Sequence, residues 1–164
     1  MQLPHLDDSG AARMVDVTGK DVTVRTATAT GRFVTTSAVV ELLRARGLPK
    51  GDALAVARIA GIAGAKRVPD LLPLCHPVAL HGVSVELELD DGGVTITAST
   101  RTADRTGVEM EALTAVVVAG LALYDMVKAV DRGAMLTDVR LLSKDGGRTG
   151  SWRSSAAADD GSDG

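Results

Sequence analysis

Cysteine is almost missing from this chain. Cys75 stands alone among 164 residues, which excludes an internal disulfide and gives no sign of export. The start, Met1-Gln-Leu-Pro-His-Leu-Asp-Asp8, lacks the basic and apolar regions of a signal peptide, so a cytoplasmic location is expected. Long hydrophobic runs are also scarce. The longest, Ala112 to Leu123, is too short for a membrane span and is followed at once by Asp125 and Lys128. Excess positive charge is absent: a net charge of −3 and a pI near 5.6 remove the electrostatic case for nucleic acid or a membrane surface. His5, His76 and His81 together with one cysteine give no zinc-ligand spacing. Lysine is rare as well. Of 18 basic residues only Lys20, Lys50, Lys66, Lys128 and Lys144 are lysines, the remaining 13 being arginines. A lysine kept where arginine is the habit is a candidate for proton transfer, which a guanidinium cannot perform.

What is present fits one domain, long enough to bury a core without disulfides or metals. Residues 1–14 read as a flexible polar tail, 15–152 as a single catalytic domain, and 153–164 as a disordered acidic tail. Alternation predicts strands over Val22–Val34, Val83–Leu89, Val94–Thr102 and Thr137–Leu142, the middle two joined by an Asp90-Asp91-Gly92-Gly93 hairpin. Thr36-Ser37 can cap a helix over Ala38–Arg46. A second helix runs from Ala53 to Lys66, its Ala and Gly residues permitting close approach to a neighbouring backbone. Pro69 to Pro77 should be irregular. A long helix spans Thr106–Lys128, and being apolar nearly all round it must be covered on every side, which calls for an oligomer. The order suits an α+β, ferredoxin-like fold: a four-stranded, mainly antiparallel sheet with helices packed on one face and a partner subunit on the other.

Chemistry concentrates at few positions. Asp125 and Lys128 lie three residues apart on one helix face, either as an ion pair worth a few tenths of a kcal/mol or as an acid/base couple in which a partly buried lysine has its pKa lowered. Thr106-x-x-Glu109 is a capping-box pattern, which favours a structural role for Glu109. Glu111 has no such explanation and shares a face with Asp125 and Lys128, roughly 20 Å along the axis from Asp125. His76 follows Cys75 in a proline-bounded loop that can hold its ring rigidly. Lys50, Lys66, Arg67 and Lys144 are the cationic candidates, and Ser143–Gly150 looks like an anion-holding glycine loop without Walker spacing. The set suits a phosphorylated substrate undergoing proton transfer.

Taken together, Met14-Val-Asp-Val-Thr18, Lys50-Gly-Asp52, Ala57-Arg-Ile-Ala-Gly-Ile62, Ala65-Lys-Arg67, Leu71-Leu-Pro-Leu-Cys-His-Pro77, Thr106-Gly-Val-Glu-Met-Glu-Ala-Leu-Thr114, Tyr124-Asp-Met-Val-Lys-Ala129 and Lys144-Asp-Gly-Gly-Arg-Thr-Gly150 make the chain resemble the cyclic pyranopterin monophosphate synthases of molybdenum cofactor biosynthesis. The resemblance runs from about Met14 to Gly150. It implies a lyase that converts 3′,8-cyclo-7,8-dihydroguanosine 5′-triphosphate to cyclic pyranopterin monophosphate with release of pyrophosphate. It also implies a homohexamer, a trimer of dimers with active sites at dimer interfaces. Residue by residue, it assigns catalysis to Asp125 and Lys128. Substrate contact falls to Leu74, Cys75, His76, Met110 and Glu111, with Glu109 as a further candidate, and to Lys50, Lys66 and Lys144. The sequence departs from the family at Val127, where cysteine is common, and in the Lys144–Gly150 loop, where Lys-Ser-Gly-Gly-Lys-Ser-Gly is commoner. No cofactor is required by the sequence, although magnesium could assist; no dedicated carboxylate cage for it is present. The alternative is a non-catalytic nucleotide-binding regulatory protein on the same scaffold. Such a relative is expected to have lost proton-transfer groups, whereas Lys128, Asp125, His76 and Glu111 are all retained.

Overall fold

The computed structural model describes residues 6, 7 and 9–155; the outermost parts of both tails read from the sequence, 1–5 and 156–164, lie outside them. The chain runs β1 (Thr23–Val34), α1 (Ser37–Arg44), α2 (Ala53–Ala65), α3 (Val68–Leu71), β2 (Leu80–Asp90), β3 (Gly93–Asp104), α4 (Glu109–Val127), β4 (Met135–Asp145) and β5 (Trp152–Arg153). All neighbouring strands pair antiparallel in the order β2-β3-β1-β4-β5. The sheet therefore has five strands, not four. The extra one is a two-residue strand pairing with the end of β4, too short to carry a periodic signal. The α+β architecture with helices packed on one face of the sheet is as expected.

Local signals explain most element boundaries. The Thr36 hydroxyl accepts from the Val39 amide to start α1, and the Asp52 carboxylate accepts from Ala55 to start α2. Asp90 and Gly93 pair across a two-residue turn, with Gly93 at φ 147° where a Cβ would meet the Phe33 carbonyl oxygen. The Pro69–Pro77 stretch is not wholly irregular, because α3 begins with Pro69 in its first turn, where a missing N–H costs nothing.

Helix α4 is the core of the molecule. Ala112, Ala115, Val116, Ala119 and Leu123 are fully buried against Ala27, Ala29, Phe33, Ile96 and Ala98 of the sheet. Among the described residues α4 is the one helix long and apolar enough to cross a bilayer, but half of it is buried inside this fold. Helix α2 covers much of its outer side. A Cβ built on Gly61 would lie 2.8 Å from the Ala115 carbonyl oxygen and 3.2 Å from the Ala119 Cβ. One on Gly64 would lie 2.7 Å from Val118 Cγ2. The expected close approach of α2 to a neighbouring backbone is thus met, and the neighbour is α4. A stripe from Met110 through Thr114, Val117 and Leu121 to Tyr124 stays open, with Leu121 60% exposed.

The Gly61 contact is testable. Alanine would improve helix propensity by about 1 kcal/mol, while overpacking against a backbone oxygen that cannot swing aside costs about 1–3 kcal/mol. Gly61→Ala is therefore expected to lower the urea midpoint at unchanged slope. A raised midpoint would mean that the two helices separate without cost.

Candidate active site

Two groups of side chains form, one at each end of α4. The first surrounds a cleft of about 540 Å³ beside its N-terminus, lined by Val15, Asp16, Val17, Lys20, Leu74, Cys75, His76, Val78, Thr106, Gly107, Glu109, Met110, Glu111 and Arg148. All six residues singled out in the Leu74–His76 and Glu109–Glu111 segments meet here. The proline-bounded loop before β2 supplies one wall, the first turn of α4 a second, and the segment preceding β1 a third.

Within the cleft, His76 Nε2 lies 2.6 Å from the Val15 carbonyl oxygen. A carbonyl can only accept, so Nε2 carries the proton and, in the neutral ring, Nδ1 is left as an acceptor. His76 thereby ties the N-terminal segment to the cleft wall. Glu111 is 4% exposed. Burial pushes its carboxyl up to about 7, and the neighbouring Glu109 charge adds to the rise. Cys75 is half-buried, and its thiol is raised by burial and by Glu111. This thiol is held protonated rather than activated.

The capping box expected at Thr106 does not form. Helix α4 starts three residues later, with Val108 at the cap position and no side-chain cap, so Glu109 is the first helical residue. Its carboxylate occupies the space where a Cβ on Gly107 would lie and reaches Lys144 Nζ at 3.8 Å. Lys144 also donates to the Thr149 hydroxyl of its own glycine loop. The two acids thus differ in setting: Glu109 faces a cation, whereas Glu111 is buried with a rising pKa.

A group whose folded pKa lies above its unfolded value of about 4.5 favours the folded state while protonated. That contribution is lost as pH rises through about 7. Wild-type protein is therefore expected to lose on the order of 2–3 kcal/mol relative to Glu111→Gln between pH 4.5 and pH 8. Parallel stability–pH curves for the two proteins would show that Glu111 titrates alike in the folded and unfolded chains.

The second group lies at the far end. Asp125 Oδ1 accepts from Lys128 Nζ at 2.7 Å and Asp125 Oδ2 from Lys50 Nζ at 2.7 Å; Lys50 also donates to the Asp125 carbonyl at 2.9 Å. The two hydrogen bonds, Lys128 first, hold the Asp125 carboxyl down at about 2. The lowered lysine pKa expected from the sequence is not found in this chain. Hydrogen bonding and charge from Asp125 raise Lys128, which is half-exposed at the last turn of α4 rather than desolvated. Lys50 joins this trio through Asp125. Lys66 caps the end of α2, exposed, with no ion-pair partner among the described residues.

Asp125 and Lys128 do not line the cleft. Along α4, Glu111 and Asp125 are separated by about 21 Å. Lys20, Arg148 and Asp16 line it without having been singled out for substrate. Lys20 and Arg148 also border an adjoining hollow of about 440 Å³ that includes Arg25, Gly147 and Thr149. The rarity of lysine and the glycine-loop setting of Arg148 were the available signals. Lys20 lies near none of the other candidates in sequence, whereas Arg148 belongs to the Lys144 glycine loop, and only the fold brings the two to one cleft. Among the described residues no three His, Cys, Asp or Glu side chains are gathered to hold a metal ion.

Comparison with known proteins supplies the context for this geometry. Residues 14–147 match the MoaC family. A cyclic pyranopterin monophosphate synthase of Streptomyces coelicolor is 65% identical over 151 residues, covering 92% of this chain and 89% of that protein. Similar proteins of the same name occur in Nocardioides sp., at 61% identity over 92% of this chain and 94% of the relative, and in Rhodospirillum rubrum, at 57% over 93% of each. With the family match covering most of the chain and such identity spanning nearly the full length of the relatives, this chain belongs to the MoaC family.

Proposed function

We propose that this chain is an enzyme of molybdenum cofactor biosynthesis, a lyase that converts 3′,8-cyclo-7,8-dihydroguanosine 5′-triphosphate to cyclic pyranopterin monophosphate and pyrophosphate. The observation that carries the reading is the pairing of a cleft bearing two differently set carboxyls and a histidine with a Lys–Asp–Lys trio, in a chain 57–65% identical to synthases of that name. The non-catalytic alternative finds no support in those relatives.

The rearrangement opens the imidazole part of the purine and the ribose, so protons must reach a leaving nitrogen and a leaving oxygen. Lys128 is the general acid. Asp125 keeps it protonated and aimed, and Lys50 balances the Asp125 charge. His76 and Glu111 are the second acid/base or base-recognition pair, and Leu74, Cys75 and Met110 pack the ring system. Closure of the cyclic phosphate follows when a hydroxyl attacks the α-phosphorus and pyrophosphate departs. Lys144, with Lys20 and Arg148 nearby, stabilises the charge on the phosphates, and Lys66 is a further cation for them. Magnesium carried by the triphosphate would share that charge.

We further propose a cytoplasmic homohexamer, a trimer of dimers, whose active sites form where the cleft of one subunit meets the trio of another. The separation of the two groups along α4 and the open Met110–Tyr124 stripe support this arrangement. The decisive assay incubates purified protein with the cyclised nucleotide and follows pterin product and pyrophosphate. Formation of both in equal amounts is expected; intact substrate after complete mixing would overturn the assignment.

A further inference from the structure

The hairpin between β4 and β5 folds back on the lysine that precedes it. Lys144 is the next-to-last residue of β4, and its backbone pairs with Ala27 of β1 on one side and Trp152 of β5 on the other. Arg153 closes the base of the hairpin, donating to the Asp145 carboxylate at 3.0 Å and to the Lys144 carbonyl at 3.2 Å. Gly146 and Gly147 then turn the chain at φ 93° and 74°. A Cβ on the first would lie 2.2 Å from the Val24 carbonyl oxygen, and one on the second 2.4 Å from Arg25 Nη1, so the loop is seated on the start of β1. Arg25 is itself held, its Nε donating to the Asp104 carbonyl at 2.9 Å. A last turn, closed by the Gly150 N–H donating to the Gly147 carbonyl at 3.1 Å, brings Thr149 back over Lys144, whose Nζ donates to the Thr149 hydroxyl.

With its backbone fixed on both sides, Lys144 can move only through its flexible stem, and the ammonium has two partners to choose between. Thr149 holds it on one side. The Glu109 carboxylate stands at 3.8 Å on the other, about 1 Å beyond a full charge-assisted hydrogen bond. Among the described residues the ammonium has no third partner. Lys144 lines neither cavity, but each partner lines one: Glu109 the cleft and Thr149 the adjoining hollow. The ammonium therefore stands at the partition between the two, with the lysine side chain 23% exposed. We propose that Thr149 is a positioning residue, whose hydroxyl holds Lys144 at that partition, off Glu109 and within reach of a bound polyphosphate. A hydroxyl suits this task because it accepts from the ammonium without cancelling its charge. Without it the pull of Glu109 is unopposed, and Lys144 closes into an ion pair that neutralises it on the protein.

This role rests on the phosphate contact given to Lys144 above. It is tested on the full chain with pyrophosphate as the probe, affinity being read by titration calorimetry and folding by circular dichroism. Thr149 is exposed, so a valine of nearly the same shape leaves the fold intact. Thr149→Val is expected to weaken pyrophosphate binding about tenfold, the yield of one hydrogen bond to a charged group. Thr149→Ser, which keeps the hydroxyl, is expected to bind like the wild type. In a Lys144→Met background the valine exchange should bring no further loss, because Thr149 acts through the lysine. In a Glu109→Gln background its effect should shrink, because no charge is left to draw the lysine away. With the cyclised nucleotide, Thr149→Val should raise KM more than it lowers kcat, since Asp125 and Lys128 lie at the other end of α4. Wild-type affinity in Thr149→Val, or an undiminished loss in the Lys144→Met background, would overturn the positioning role alone. A wild-type protein that binds no pyrophosphate would overturn the phosphate reading with it, so the two failures are told apart.

Discussion

Replacing Lys128 with alanine is expected to reduce turnover by about 10²–10⁴-fold, the usual yield of a positioned acid or base, while folding and assembly persist. The side chain is half-exposed at the end of α4 and packs no core. Substrate binding should fall much less than kcat, because Lys50, Lys20, Lys144 and Arg148 remain as cations. Lys128→Arg is expected to fail nearly as badly. It keeps the charge and the Asp125 contact but cannot release a proton near neutral pH. The raised Lys128 pKa sharpens this comparison. The ammonium is loaded throughout the neutral range and donates only to an atom that becomes strongly basic as its bond breaks. An arginine variant with wild-type kcat would make Lys128 an electrostatic contact and leave the acid to be found elsewhere, with His76 the first candidate.

Strand β2 was legible because its alternation holds from Val83 onward: Val83, Val85, Leu87 and Leu89 face inward, and Glu86 and Glu88 outward. The start of α4 was misread for a physical reason. Thr106 and Glu109 have capping-box spacing, but Gly107 leaves a space into which the Glu109 carboxylate folds, and the helix begins only at Glu109. The trio was half legible. Helical spacing joins Asp125 to Lys128, but Lys50 is 75 residues away and reaches Asp125 only through the fold. The direction of the Lys128 pKa could not be read from sequence, since it depends on whether burial or the Asp125 charge dominates. In a half-exposed position the charge wins. Val127, the departure from the family pattern, is fully buried against the core, in keeping with a small apolar exchange.

Two inactive proteins are expected to make an active one. Glu111→Ala damages the cleft at the N-terminus of α4, and Asp125→Ala damages the trio about 21 Å away at its other end. No hydrogen-bonded cluster spans that distance within one chain. If a two-fold axis crosses α4 near its middle, a second copy runs antiparallel along the open stripe of Met110, Thr114, Val117, Leu121 and Tyr124. The cleft of each copy then faces the trio of the other. Helix α2 already covers the Gly61 and Gly64 side of α4, so the stripe is the part of the helix left for such a contact. In a mixed dimer one of the two sites carries both lesions and the other carries neither. Random mixing makes half the dimers mixed, so about one site in four should be intact and activity should return to about a quarter of wild type. Each variant assayed alone sets the baseline, and native mass spectrometry establishes that mixed assemblies formed. Mixed assemblies that stay at the baseline would place the whole site within one chain. The cleft and the trio would then have to be joined by movement of the segment that His76 ties down, rather than by a second subunit.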